Sequence, residues 1–234
     1  MKKKIILFAL TFALLAIGIA LASSGGPSIS PDEALQSLLA GNKRYVESKM
    51  TNVATCNAAS RAALAHSQKP YAVILTCSDS RVPPEIIFDK GLGEIFVIRV
   101  AGNVPDPVVL GSIEYAVEHL GSPLIMVLGH ERCGAVKATV EAGGKSTGSK
   151  NIDAITRAIA PSVKAAALTC KGKANCAEAT NNEFLERVSD DNAKYVAANL
   201  TKQSAILKHL VHEKKIKIVA AKYDLDDGSV TLFK

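Results

Sequence analysis

Tyr71-Ala72-Val73-Ile74-Leu75-Thr76, running directly into Cys77-Ser78-Asp79-Ser80-Arg81, is the stretch that decides the fold. Its first six residues are uncharged and β-rich, and their hydrophobicity is continuous rather than alternating. That texture marks a strand covered on both faces, as in a parallel sheet. Ile95-Phe96-Val97-Ile98 and Leu124-Ile125-Met126-Val127-Leu128 share it, and Lys217–Tyr223 reads as a fourth strand. Helical spacing fills the intervals, at 108–120 and again over 152–168, 183–199 and 201–212. Strands alternating with helices predict an α/β fold. Asp226-Asp227-Gly228 is a hairpin turn leading into 229–233. The expected architecture is therefore a mostly parallel central β-sheet with an antiparallel C-terminal edge strand, flanked by helices.

Upstream, Ser30-Pro31-Asp32-Glu33 combines a Ser N-cap, Pro at the first helical position and the Glu of a capping box. Leu35, Leu38, Leu39, Tyr45 and Val46 follow at helical spacing, and a second helical stretch covers 58–66. The first of them, over 30–50, is an amphipathic N-terminal helical arm with no evident partner within the chain. No internal repeat or interdomain linker interrupts residues 23–234, which read as a single domain.

Met1-Lys2-Lys3-Lys4, an uncharged run over 5–22, Ala20-Leu21-Ala22 and Ser23-Ser24-Gly25-Gly26 follow the three-part grammar of a secretory signal peptide. A membrane anchor is the competing reading, since about 18 apolar residues are just long enough to span a bilayer. The small-x-small site and the Ser/Gly exit favour cleavage near Ala22, so the sequence predicts a periplasmic or secreted protein with no membrane association afterwards. The 234-residue chain carries a net charge of +6 and is 48% hydrophobic. Removing residues 1–22 removes three lysines and no acid, which lowers the charge to +3. The basic excess thus belongs largely to export, and no nucleic-acid partner is indicated.

Two clusters carry chemistry. Cys77-Ser78-Asp79-Ser80-Arg81 follows the first strand and Gly129-His130-Glu131-Arg132-Cys133-Gly134 follows the third. Open α/β sheets bind ligands at the carboxyl ends of their strands. Cys77, His130 and Cys133 supply two thiolates and an imidazole, the donor set of a catalytic Cys₂His zinc with an open fourth position. Two other readings stand beside it: buried structural cysteines, or a Cys77–Cys133 disulfide in an exported protein.

Cys-Ser-Asp-Ser-Arg-Val at 77–82, Ala-Gly-Asn at 101–103 and Gly-His-x-x-Cys-Gly-Ala at 129–135 make the chain resemble the β-class carbonic anhydrases, from about 30 to 233. The resemblance implies one Zn²⁺ per chain held by Cys77, His130 and Cys133, with hydroxide attacking CO₂ to give bicarbonate and a proton. It implies that Asp79 accepts a hydrogen bond from that nucleophile and is itself oriented by a bidentate Arg81. Gln68, Phe96 and Tyr115 match positions that in the family line the substrate pocket at a dimer interface, and Gly134 is assigned to substrate binding with them. A freed Asp79 would close the site, as in bicarbonate-controlled members, whereas Gln68 and Tyr115 match the open type. The implied partners are CO₂, bicarbonate and further copies of the chain, as a homodimer or a higher even oligomer. A same-fold hydrolase of CS₂ or COS and a non-catalytic zinc or thiol protein are the rivals.

Other motifs are set aside. Gly144-Lys145-Ser146 lacks the first Gly of a P-loop, having Thr139 there, and Gly91-x-Gly93 lacks a third Gly and a following helix. His209 and His212 lie among lysines and read as surface residues, while His66 and His119 read as structural. Cys170 and Cys176 are either a small disulfide loop or two free thiols, and Cys56 is left over.

Overall fold

The computed structural model describes residues 29–52, 54, 56–170, 176–178 and 181–234. The leader expected at 1–22 lies outside them. Among the described residues, two helices, α1 (Pro31–Val46) and α2 (Ala58–Leu64), precede the first strand, β1 (Ala72–Thr76). A short α3 (Pro84–Ile87) leads to β2 (Ile95–Arg99), then a 3₁₀ turn at Ala101–Asn103 and α4 (Pro107–Glu118). Strand β3 (Leu124–His130) is followed by α5 (Gly134–Ala142), α6 (Lys150–Leu168), α7 (Asn182–Gln203) and α8 (Ala205–His212). Strands β4 (Lys217–Tyr223) and β5 (Val230–Leu232) close the chain.

The sheet order is β2-β1-β3-β4-β5, with every pairing parallel except β4–β5. This is the architecture expected from the strand texture. All residues of β1 and β3 are buried, as continuous hydrophobicity requires of strands with helices on both faces. Val73, Leu75, Ile125 and Val127 face α4, α7 and α8, where they meet Ile113, Val196, Leu200 and Leu207. Ile74, Met126 and Leu128 face the other way, onto Leu35, Leu38, Ile87 and Phe88. A third cluster joins α5, α6 and α7 around Val136, Ile159, Phe184 and Val188, and includes Cys77 and Cys133.

The N-terminal arm differs from expectation. The Ser30 capping box forms as read, with Ser30 Oγ accepting from the Glu33 amide at 3.2 Å and Glu33 Oε2 from the Ser30 amide at 2.7 Å. Yet α1 is not without a partner: it lies on its own sheet, burying Ala34, Leu35 and Leu38. Asn42 secures it, donating to the carbonyls of Ile87 and Gly228 and accepting from the Val230 amide. The apolar stripe cannot say which surface it will cover, and here it covers the chain's own. By contrast α2 has no buried residue. The two helices read at 183–199 and 201–212 instead meet at Ser204, which ends α7 and caps α8.

Gly41 shows how closely α1 approaches. A Cβ at this position would lie 1.8 Å from the Phe88 carbonyl oxygen, a backbone atom that cannot swing aside. Alanine in a helix interior otherwise gains about 0.5–1 kcal/mol over glycine, but overpacking costs about 1–3 kcal/mol or more. Gly41→Ala is therefore expected to destabilise by about 2 kcal/mol in urea unfolding. A stabilised variant would contradict this packing.

Candidate active site

The register of the two central strands builds the site. Thr76 on β1 pairs with Leu128 on β3, so the chain leaves β1 with Cys77 level with Gly129 and beside His130. Cys133 then caps the N-terminus of α5. Sγ of Cys77, a ring nitrogen of His130 and Sγ of Cys133 lie within 4.8 Å of one another, and all three residues are buried. Cys77 and Cys133 are not joined to each other; the disulfide present links Cys170 to Cys176, and Cys56 is an exposed free thiol.

The donor set fits a zinc ion on three counts. His130 Nδ1 lies 2.8 Å from the carbonyl oxygen of Glu131, which only accepts, so Nδ1 carries the proton and Nε2 the lone pair. That Nε2 is buried and has no hydrogen-bond partner among the described residues, a costly arrangement unless a ligand uses the lone pair. One of the two sulfurs is also prepared for charge. The Cys77 thiol is lowered, chiefly by a hydrogen bond from Cys133, with the Gly102 amide assisting. Cys133 is pushed up by the same contact and by burial, while the Ala135 and Val136 amides at the head of α5 favour its thiolate. A dication satisfies both sulfurs and the orphaned nitrogen together.

Asp79 and Arg81 form the expected pair. Arg81 Nε donates to Asp79 Oδ1 at 3.0 Å and its terminal nitrogen to Oδ2 at 2.8 Å, a bidentate clamp. This clamp holds the Asp79 carboxyl well below the usual carboxylate range. A depressed acid stabilises the fold above its unfolded pKa, and that contribution is lost as pH falls toward the folded value. Asp79 therefore stays ionised at neutral pH.

The substrate candidates are less gathered. Phe96 and Tyr115 are neighbours, with ring centroids 6.4 Å apart. Gly134 is exposed at the start of α5, next to Cys133. Gln68 is exposed and lines a separate cleft of about 500 Å³ with Arg61, His66 and Leu92, away from the sulfurs of its own chain. The histidines read as structural are exposed, and the His119 ring lies tilted against Tyr115 with centroids 5.2 Å apart. His209 and His212 are on the surface as expected.

Two supporting residues escaped the sequence reading. Arg99, at the end of β2, donates from Nε to the Cys77 carbonyl at 3.1 Å and from its terminal nitrogen to the Asp79 carbonyl. Its position at a strand end was the available signal. Asn192 on α7 carries no such signal, lying 115 residues after Cys77. Its Nδ2 donates to the Gly102 carbonyl at 2.8 Å, and the Gly102 amide donates to Cys77 Sγ at 3.3 Å. Gly102 holds a left-handed φ of 72° to do so, which explains the glycine of Ala-Gly-Asn.

A sequence model of the family described as carbonic anhydrase matches residues 72–230. Carbonic anhydrase 2 of Mycobacterium tuberculosis is 40% identical over 211 residues, which is 88% of this chain and 94% of that protein. Among solved structures, the β-carbonic anhydrase of Coccomyxa in complex with acetazolamide superposes with a TM-score of 0.67 at 24% identity, over 85% of this chain and 86% of that one. A tetrameric β-carbonic anhydrase of Sordaria macrospora gives a TM-score of 0.64 at 22% identity, over 86% and 97%. At these identities the two structures speak for the fold.

Because Asn192 is almost fully buried, Asn192→Ala leaves the Gly102 carbonyl and the Ser162 hydroxyl without this partner. An unsatisfied buried group costs about 1–3 kcal/mol. Chemical denaturation should show a loss of that size, and an unchanged midpoint would contradict the assigned bond.

Proposed function

The chain belongs to the β-class of the carbonic anhydrase family, and on that premise we propose that it interconverts CO₂ and bicarbonate at one zinc per chain, held by Cys77, His130 and Cys133. The observation that carries this is the buried Nε2 of His130, without a hydrogen-bond partner among the described residues and close to two free cysteine sulfurs. Bound there, zinc supplies the Lewis acidity that makes a nucleophile of water near neutral pH. Two thiolates cancel much of the metal's charge, which weakens that acidity and makes help from a neighbouring acceptor valuable.

Asp79 is that acceptor. Ionised and fixed by Arg81, it accepts a hydrogen bond from the attacking water and orients it, and it has no proton to donate in return. Both carboxylate oxygens are committed to Arg81 rather than to the sulfur–imidazole cluster, which supports the open form of the site. Arg81 matches the carboxylate as a planar fork, so lysine is no substitute. Phe96 and Tyr115 offer an apolar wall suited to a linear, uncharged substrate. Gly134 lets substrate approach close to Cys133.

Gln68 joins the pocket only if two chains meet, and a homodimer or a higher even oligomer provides for this. The surface of α2 and the half-buried edge strand β2 is the proposed interface; the Sordaria macrospora neighbour is itself tetrameric. No helix among the described residues is long and apolar enough to cross a membrane. Export to the periplasm or beyond rests on the leader sequence, and the Cys170–Cys176 disulfide suits an oxidising compartment.

Asp79→Ala and Arg81→Ala should each lower the CO₂ hydration rate about 100-fold, in line with lost acid–base assistance, while zinc content stays at the parent level. Zinc loss from either variant would contradict the role given to the pair. Cys77→Ser should abolish stoichiometric zinc. N-terminal sequencing of protein recovered from the periplasm or medium should begin near Ser23; an intact Met1 would contradict cleavage.

A further inference from the structure

Arg132 lies between the two chelating residues His130 and Cys133, and its φ is 50°. A non-glycine residue holds this left-handed conformation only where its surroundings impose it. Three contacts do so here. The Arg132 amide donates to Glu186 Oε1 at 2.8 Å. Its carbonyl accepts from Arg81 at 3.3 Å. Its guanidinium grips Asp226 through two bonds of 2.8 and 3.0 Å.

Of these partners, Glu186 is the one built into the protein. It comes from α7, 54 residues along the chain, and its side chain is only 25% exposed. Its second oxygen lies 3.9 Å from Lys222, whose closer partner is Glu131 at 2.9 Å. The guanidinium–Asp226 pair, by contrast, is at the surface, with Asp226 74% exposed. The same residue that Glu186 fixes also accepts from Arg81, the residue that clamps Asp79.

The geometry points to Glu186 as a positioning residue: by accepting the Arg132 amide it holds the left-handed turn that sets the bite of His130 and Cys133 and seats Arg81 on Asp79. The inference rests on the reading of Cys77, His130 and Cys133 as zinc ligands. Without the acceptor, the peptide between Glu131 and Arg132 is free to rotate toward ordinary backbone values, and the two ligands lose their fixed separation. Outer partners of this kind govern metal affinity by about 10–100-fold. The requirement is for an acceptor at the Oε1 position, not for negative charge. Glutamine satisfies it, whereas aspartate keeps the charge but is one methylene too short.

The test uses the full protein with zinc titrated against a competing chelator, and the Co²⁺-loaded protein observed through its thiolate-to-cobalt charge-transfer band. Glu186→Asp and Glu186→Ala should bind zinc about 10–100-fold more weakly and shift or weaken the band. Glu186→Gln should stay within about threefold of the parent with an unchanged band. If Glu186→Ala does not fold, the Asp/Gln pair decides. Aspartate binding like the parent, or glutamine binding as weakly as aspartate, would overturn the inference alone. A parent that takes up no zinc, or keeps it in Cys77→Ser, would overturn the metal-site reading and this inference with it.

Discussion

The pairing of Thr76 with Leu128 is the constraint on which the rest of the molecule depends, because it decides which residue emerges beside His130. In a strand buried on both faces, a one-residue slip exchanges one apolar face for the other. Polar contacts supply what the pattern lacks. The buried Thr76 hydroxyl donates to the Leu128 carbonyl at 2.8 Å, and Arg99 holds the backbone of Cys77 and Asp79 immediately after the strand. A slip of one residue would carry Cys77 away from the imidazole and leave Thr76 without its acceptor.

The helical layer completes what the sheet begins. Gly129 on β3 lets α7 come close, since a Cβ there would touch Ala193 at 3.0 Å. From that position α7 reaches both halves of the cluster, through Asn192 to the turn facing Cys77 and through Glu186 to the loop between His130 and Cys133. The Cys170–Cys176 disulfide lies in the same apolar cluster as Cys77 and Cys133, between the end of α6 and the approach to α7. The long helix is therefore both a core element and the outer support of the site.

The fold was largely legible because its signals are local. Continuous apolar runs such as Leu124-Ile125-Met126-Val127-Leu128 announce two-sided burial, and Ser30 with Glu33 announces a helix start. The candidate trio was legible as a cluster because strand ends collect sites and because Cys77 and His130-x-x-Cys133 are chemically distinctive. Support from a distance was not. Glu186 and Asn192 look like ordinary polar residues of an amphipathic helix, and only packing reveals that they turn inward. The resting place of α1 was also hidden, since its apolar stripe fits an own or a foreign surface equally well. Gln68 remains apart from the other pocket candidates within one chain because its neighbourhood, α2 included, finds little to bury against there.

The central claim is that two cysteines and one histidine, brought together by strand register, make a zinc site that hydrates CO₂. Metal analysis of the purified parent protein combined with stopped-flow CO₂ hydration tests it most directly. The account predicts one zinc per chain and rapid hydration that is lost on chelation and restored by zinc. One zinc per chain with negligible hydration, or hydration that survives complete zinc removal, would contradict it.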